Sequence, residues 1–99
     1  MKAIVYHLGA RLDVLEIVEY YEREGGAQLA DHFTSELERF IEAVAERPNS
    51  YREHPKGIRR ANLDQFPHHV LFRIVNAETV KILSVKHDKR RPSYGMHRR

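Results

Sequence analysis

The sequence predicts an α+β fold: a four-stranded antiparallel sheet with an N-terminal helical hairpin packed on one face, in the order β-α-α-β-β-β. Three observations predict it. In the first half, Leu29, Ala30, Phe33, Leu37, Phe40, Ile41 and Val44 recur at helical spacing and fall within one arc. In the second half, two runs rich in β-branched residues are separated only by Asn76-Ala77-Glu78, the signature of an antiparallel hairpin. Between helical stretches stands Gly25-Gly26, a pair that weakens helix propensity and permits a reversal.

Taken in order, Lys2 to His7 is a short strand, with Ile4 and Tyr6 on one face and Ala3 and Val5 on the other. A helix is expected from about Ala10 to Glu24. Val14, Ile17, Val18 and Tyr21 share its apolar face, with Leu15 on the flank, and Asp13, Glu16, Tyr20 and Arg23 are expected to point away. The second helix runs from about Ala27 to Glu46 and stops before Pro48, which cannot continue the hydrogen-bond ladder. Asn49 to Lys56 reads as an irregular loop, and Ile58 to Leu63 as a strand. Asp64-Gln65-Phe66-Pro67 then turns the chain into the hairpin. There Val70, Phe72 and Ile74 alternate with His69, Leu71 and Arg73, followed by the strand Thr79–His87. An apolar helical stripe needs a second layer, so the helices should cover one sheet face. The opposite face is expected to carry Arg59, Arg73, at least one histidine and a basic tail, residues 89–99. The terminal His97-Arg98-Arg99 is expected to fray.

A chain of 99 residues and 41% hydrophobic content fits one domain, residues 1–99, with one modest core. It has no cysteine, which rules out disulfides and thiolate metal sites. No signal-peptide core or membrane-length apolar run is read, so the expected setting is cytoplasmic, with no membrane partner. The net charge of +3 hides a division: five Lys/Arg against ten Asp/Glu up to Ser50, then twelve against four. Five of the seven histidines also lie in the second half. A basic half of this kind implies an anionic partner.

The basic half also holds groups able to move protons. Metal-free RNA cleavage needs a base, an acid and cations for the developing phosphorane charge. His69, His87 and Tyr94 supply the first two types, and Arg73, Lys86, Arg90 and Arg91 the third. His68 and His69 are adjacent on a strand and project to opposite faces, so they are not expected to share a metal, and no cofactor is expected. A plain nucleic-acid-binding module would use Arg59, Arg60, Arg73 and the tail for phosphates, but no ladder of exposed aromatics accompanies them.

Several segments resemble one family. Ile17 to Gly25, I-x-x-Y-Y-E-x-x-G, resembles the first helix of RelE/ParE superfamily toxins. Ile58-Arg59-Arg60, the run Phe66 to Arg73, and V-x-H-x-x-R-R-P-x-Y from Val85 to Tyr94 are similar as well. The resemblance spans nearly the whole chain and implies the toxin of a type II toxin–antitoxin pair. It also implies a cognate antitoxin with an acidic, amphipathic segment. RelE-like members cleave mRNA on the ribosome; ParE-like members poison DNA gyrase. Tyr94 falls where RelE-like enzymes carry a functional tyrosine, and Arg90 lies near their basic cluster. His69, however, stands in place of their central arginine, and Ile58 and Arg60 in place of a lysine pair. The long first helix and the Gly-Gly turn look closer to ParE. If the chain were an endonuclease, His87, Tyr94, Arg73 and His69 would be its catalytic set. As a binding toxin it would use Arg59, Arg60, Arg73, Lys86, Lys89, Arg90 and Arg91.

Overall fold

Two glycines shape the first half of the molecule. The computed structural model covers residues 1–99, beginning with β1 (Ala3–Tyr6) and a long helical segment, α1 (Leu8–Glu46). The segment breaks at Gly25 (φ −146°, ψ 15°) and Gly26 (φ 74°, ψ −171°). The left-handed φ at Gly26 is one a side chain would resist. The chain doubles back there, bringing the Tyr21 and Phe33 rings to 5.4 Å. The longest dimension of the molecule is 39 Å, against roughly 58 Å for a straight helix of this length. The helical hairpin thus forms as expected, and its first arm starts at Leu8, capped by Gly9 N–H donating to His7 Nδ1 at 2.8 Å.

The sheet has five strands rather than four: β1, β2 (Glu53–His54), β3 (Ile58–Asn62), β4 (His68–Asn76) and β5 (Thr79–His87), in spatial order β1-β5-β4-β3-β2. Nor is it wholly antiparallel. β1 lies parallel to β5, with Ala3 opposite Thr79 and Tyr6 opposite Ile82. A parallel pair is joined by a long crossover, here the helical hairpin followed by β2, β3 and β4, so no turn signal marks it in the sequence. β2 is only two residues long, folded back on β3 through the Pro55–Gly57 turn, and too short to show a period.

Phe33, Leu37, Ile41 and Val44 of the second arm pack with Ala61, Val70, Phe72, Val80, Ile82 and Val85 of the sheet in one core. β5 can send both Ile82 and Val85 into that core because of a bulge. Leu71 pairs with Ser84, but Phe72 pairs with Ile82, leaving Leu83 as the extra residue that reverses the alternation. Leu83 joins Ile58 and Leu71 in a small cluster on the other face, against which Met96 packs. Arg59 departs from expectation. It pairs with Phe72 and so lies on the helix-facing side. Its guanidinium there donates to Tyr51 O at 2.6 Å and sits 3.5 Å from Glu53. No helix is long and apolar enough to cross a membrane.

Leu37 is 5% exposed at the centre of this interface. Leu37→Ala should lower stability by about 2–5 kcal/mol in urea denaturation.

Candidate functional site

β5 is nine residues long and β1 only four, so the second half of β5 has β4 on one side and no strand on the other. His7 N–H, donating to Ile82 O at 2.9 Å, is the last contact of the β1 side. Beyond that point two side chains take the place of a strand. Asp13 Oδ2 accepts from Val85 N–H at 3.2 Å and from Ser84 Oγ at 3.1 Å. Arg98 Nη1 donates to Leu83 O at 3.0 Å and to the same Asp13 oxygen at 2.7 Å. Tyr94 Oη donates to Asp13 Oδ1 at 2.5 Å and accepts from Arg98 Nη2 at 3.2 Å. Asp13 is therefore buried, not solvent-facing as expected: the first arm leans on the free edge of β5 and drives this carboxylate into it. Arg98 belongs to no frayed end.

The whole basic tail is folded back. Buried Lys86 donates to the carbonyls of Arg91, Pro92 and Tyr94 at 3.2, 2.9 and 2.9 Å. Burial lowers the pKa of its ammonium, and the charges of Arg60, Arg90 and Arg98 lower it further. Lys81 holds Arg99 O at 2.7 Å. Gly95, at φ 79°, sits so close that a Cβ there would come within 2.7 Å of the Ser84 Cβ. Lys89, Arg90 and Arg91 remain exposed, with the Arg90 guanidinium 4.0 Å from the centre of the Tyr94 ring.

The histidines fall on different surfaces. His69 is buried on the outer face, its Nδ1 2.8 Å from Asp88 Oδ1, which also lies 3.7 Å from Arg60. Burial lowers its pKa, opposed by the Asp88 hydrogen bond. His68 points the other way, against Phe33 (5.3 Å), Tyr21 (5.9 Å) and His87 (5.2 Å), with no partner for Nδ1. Burial first, and the neighbouring His87 second, hold its pKa at about 4. His87 is exposed, and its Nδ1 accepts from Lys89 N–H at 3.0 Å. Arg73 is half-buried on the outer face opposite Ile58, with its Nε unpartnered.

Two clefts result. One, of about 430 Å³, runs between the first helical arm and the end of β5, where Tyr20, Tyr21, Arg23, His87, Arg90 and Tyr94 meet. The other, of about 280 Å³, lies on the outer face around Arg60, His69, Lys86 and Arg90. His87 and Tyr94 thus share a cleft, His69 lines the second, and Arg73 and Arg59 line neither.

The sequence reading missed Asp13 and Arg98 as a pair, and Glu36 altogether. Glu36 is fully buried, its Oε2 accepting from the Asp64 and Gln65 backbone N–H groups at 2.9 and 2.8 Å. A signal for both acids existed. Asp13 stands with Ala10, Val14, Ile17 and Tyr21, and Glu36 with Phe33, Leu37, Phe40 and Val44, at the three-and-four spacing of a buried face.

Residues 4–92 match the family described as the ParE toxin of the type II toxin–antitoxin system parDE. The chain belongs to the ParE toxin family. The match places it as the toxin component of a type II module, on the branch that the first helix and the Gly-Gly turn suggested. Among solved structures, it is similar to the "Chromosomal ParDE TA system from P. aeruginosa" with a TM-score of 0.76 and 19% identity. That likeness covers 88% of this chain and 96% of that one, and it is one of fold. No curated protein matches the chain.

Two outcomes follow for this ParE toxin. Asp13→Ala leaves Arg98 without its ion pair and the Val85 N–H without an acceptor, and should destabilise the fold by about 3 kcal/mol in chemical denaturation. Acidification should also act through His68. Its folded pKa of about 4 lies below the ordinary 6.5, so the unfolded chain takes up the proton first. Stability is then complete above pH 6.5 and falls as the pH drops through 4, by at most about 3 kcal/mol from this residue. Denaturation midpoints measured across that window should flatten in His68→Gln.

Proposed function

We propose that this ParE toxin arrests growth by poisoning DNA gyrase, and that a cognate antitoxin bearing an acidic, amphipathic segment neutralises it. The observation that carries this reading is the commitment of the Tyr94 hydroxyl. It is bound between Asp13 and Arg98, where it supports the tail rather than meeting a phosphate. Cleavage of RNA needs an acid and a base on either side of one phosphate. His69 is buried against Asp88, and His87 belongs to the other cleft. A toxin that works by binding needs no such convergence. It needs an exposed surface held in shape, and Arg60, Lys89, Arg90 and Arg91 are exposed cations suited to contact. Arg73 lies on the same outer face as Arg60. Lys86 and Arg59 contribute from behind, through their hydrogen bonds to backbone carbonyls.

Brief expression in cells tests the target. DNA-damage signalling with intact messages is the expected outcome, and co-expression of an adjoining antitoxin reading frame should restore growth. His87→Ala should leave most of the toxicity in place. A loss on the order of 10²–10⁴-fold, the contribution of proton transfer to an enzyme, together with rapid cleavage of mRNA on ribosomes, would instead establish an endonuclease.

A further inference from the structure

The outer-face cleft has a chemistry of its own. Its floor is aliphatic: Ile58 and Leu71 belong to the small buried cluster there, and Met96 of the tail lies against them. Its wall is cationic, made by Arg60, Lys86 and Arg90. The one carboxylate among the lining residues, Asp88, is already shared between His69 and Arg60. Lys86 is hydrogen-bonded only to neutral carbonyls, which satisfy its protons without cancelling its charge. Arg90 rests on the Tyr94 ring and forms no ion pair. The wall therefore has more positive charge than its surroundings balance. The lowered pKa of Lys86, caused first by burial and then by Arg60, Arg90 and Arg98, reflects the same imbalance.

We propose that this cleft seats a short acidic peptide segment, with a carboxylate between Arg60 and Arg90 and an aliphatic side chain against Ile58, Leu71 and Met96. The proposal rests on the antitoxin reading above and gives that partner an address on the toxin. A volume of about 280 Å³ holds a side chain or two rather than a folded domain, as expected for a segment that orders on binding. Guanidinium groups suit carboxylates because they donate in a planar fork. A nucleic-acid strand would bring phosphates to the same cations, but its bases stack on aromatic faces. No Phe or Tyr lines this cleft; the tyrosines Tyr20, Tyr21 and Tyr94 border the other one.

The test uses the full chain, isotopically labelled and made by cell-free synthesis. The probes are a peptide of Leu-Glu-Glu-Leu repeats, the same peptide with glycine for leucine, and a single-stranded DNA oligonucleotide of matched charge. Amide shifts on titration with the first peptide should gather at Arg60, Leu71 and Met96. Arg60→Gln and Arg90→Gln should each weaken its binding about tenfold, the effect of roughly 1.4 kcal/mol. Arg52→Gln, an exposed cation outside the cleft, should change it little. Absence of binding, shifts gathered elsewhere, equal loss in all three variants, equal affinity for the glycine peptide, or tighter binding of the oligonucleotide would each overturn the proposal. Growth arrest by the unaltered chain, and its relief by an adjoining antitoxin, are scored separately. Failure there removes the antitoxin reading itself, whereas failure of the peptide titration removes only this address.

Discussion

A buried carboxylate joins the three parts of this toxin that no continuous secondary structure connects. Asp13 comes from the first helical arm, its acceptor contacts reach β5, and its ion pair reaches the tail at Arg98. A charge in such a place is tolerable only when paired and fully hydrogen-bonded, and Asp13 accepts from four groups: Ser84 Oγ, Val85 N–H, Tyr94 Oη and Arg98. The pair also solves a problem of topology. β1 ends while β5 continues, and a bare strand edge invites pairing with another chain. A carboxylate on the N–H of Val85 and a guanidinium on the carbonyl of Leu83 meet the edge with side chains instead.

Glu36 plays a matching part at the other arm. Its carboxylate receives two backbone N–H groups from the turn that leads into β4, so each arm of the helical hairpin reaches the sheet through one buried acid. Apolar packing between the second arm and the sheet supplies the bulk of the core. The two acids then tie each arm to the sheet at one point, Asp13 to β5 and Glu36 to the turn before β4. The larger cleft follows from this arrangement, because the first arm touches β5 through Asp13 and leaves a gap farther along, at Tyr20 and Arg23.

The apolar layer was legible in the sequence. The stripe from Leu29 to Val44 and the alternation from Val70 to Ile74 predicted the second arm, the central hairpin and their contact, since burial of apolar side chains imposes its period directly. Pairings without a local signal were not legible. β1 finds β5 across more than seventy residues, and β2 is two residues of polar chain. Asp13 was misread because charge was taken to mean solvent, although its spacing from Ala10 and Ile17 placed it on the buried face. The bulge at Leu83 breaks the period of two partway along β5, and no residue type there announces it. In the site, residue types were legible but their convergence was not. His68 and His69 are neighbours in sequence and lie on opposite sides of the sheet, and only the fold shows Tyr94 turned inward.

Lys86 and Lys81 hold the tail by its main-chain oxygens, at Arg91, Pro92, Tyr94 and Arg99. A carbonyl is the same whatever side chain it carries. Only the path of the segment is demanded, with Tyr94, Gly95 and Arg98 as its fixed stations, and the outward side chains at 89–91, 93 and 97 carry none of these anchoring bonds. Substitutions can therefore accumulate on the surface that a partner meets without loosening the tail beneath it. Recognition can diverge between related toxins while the scaffold stays the same.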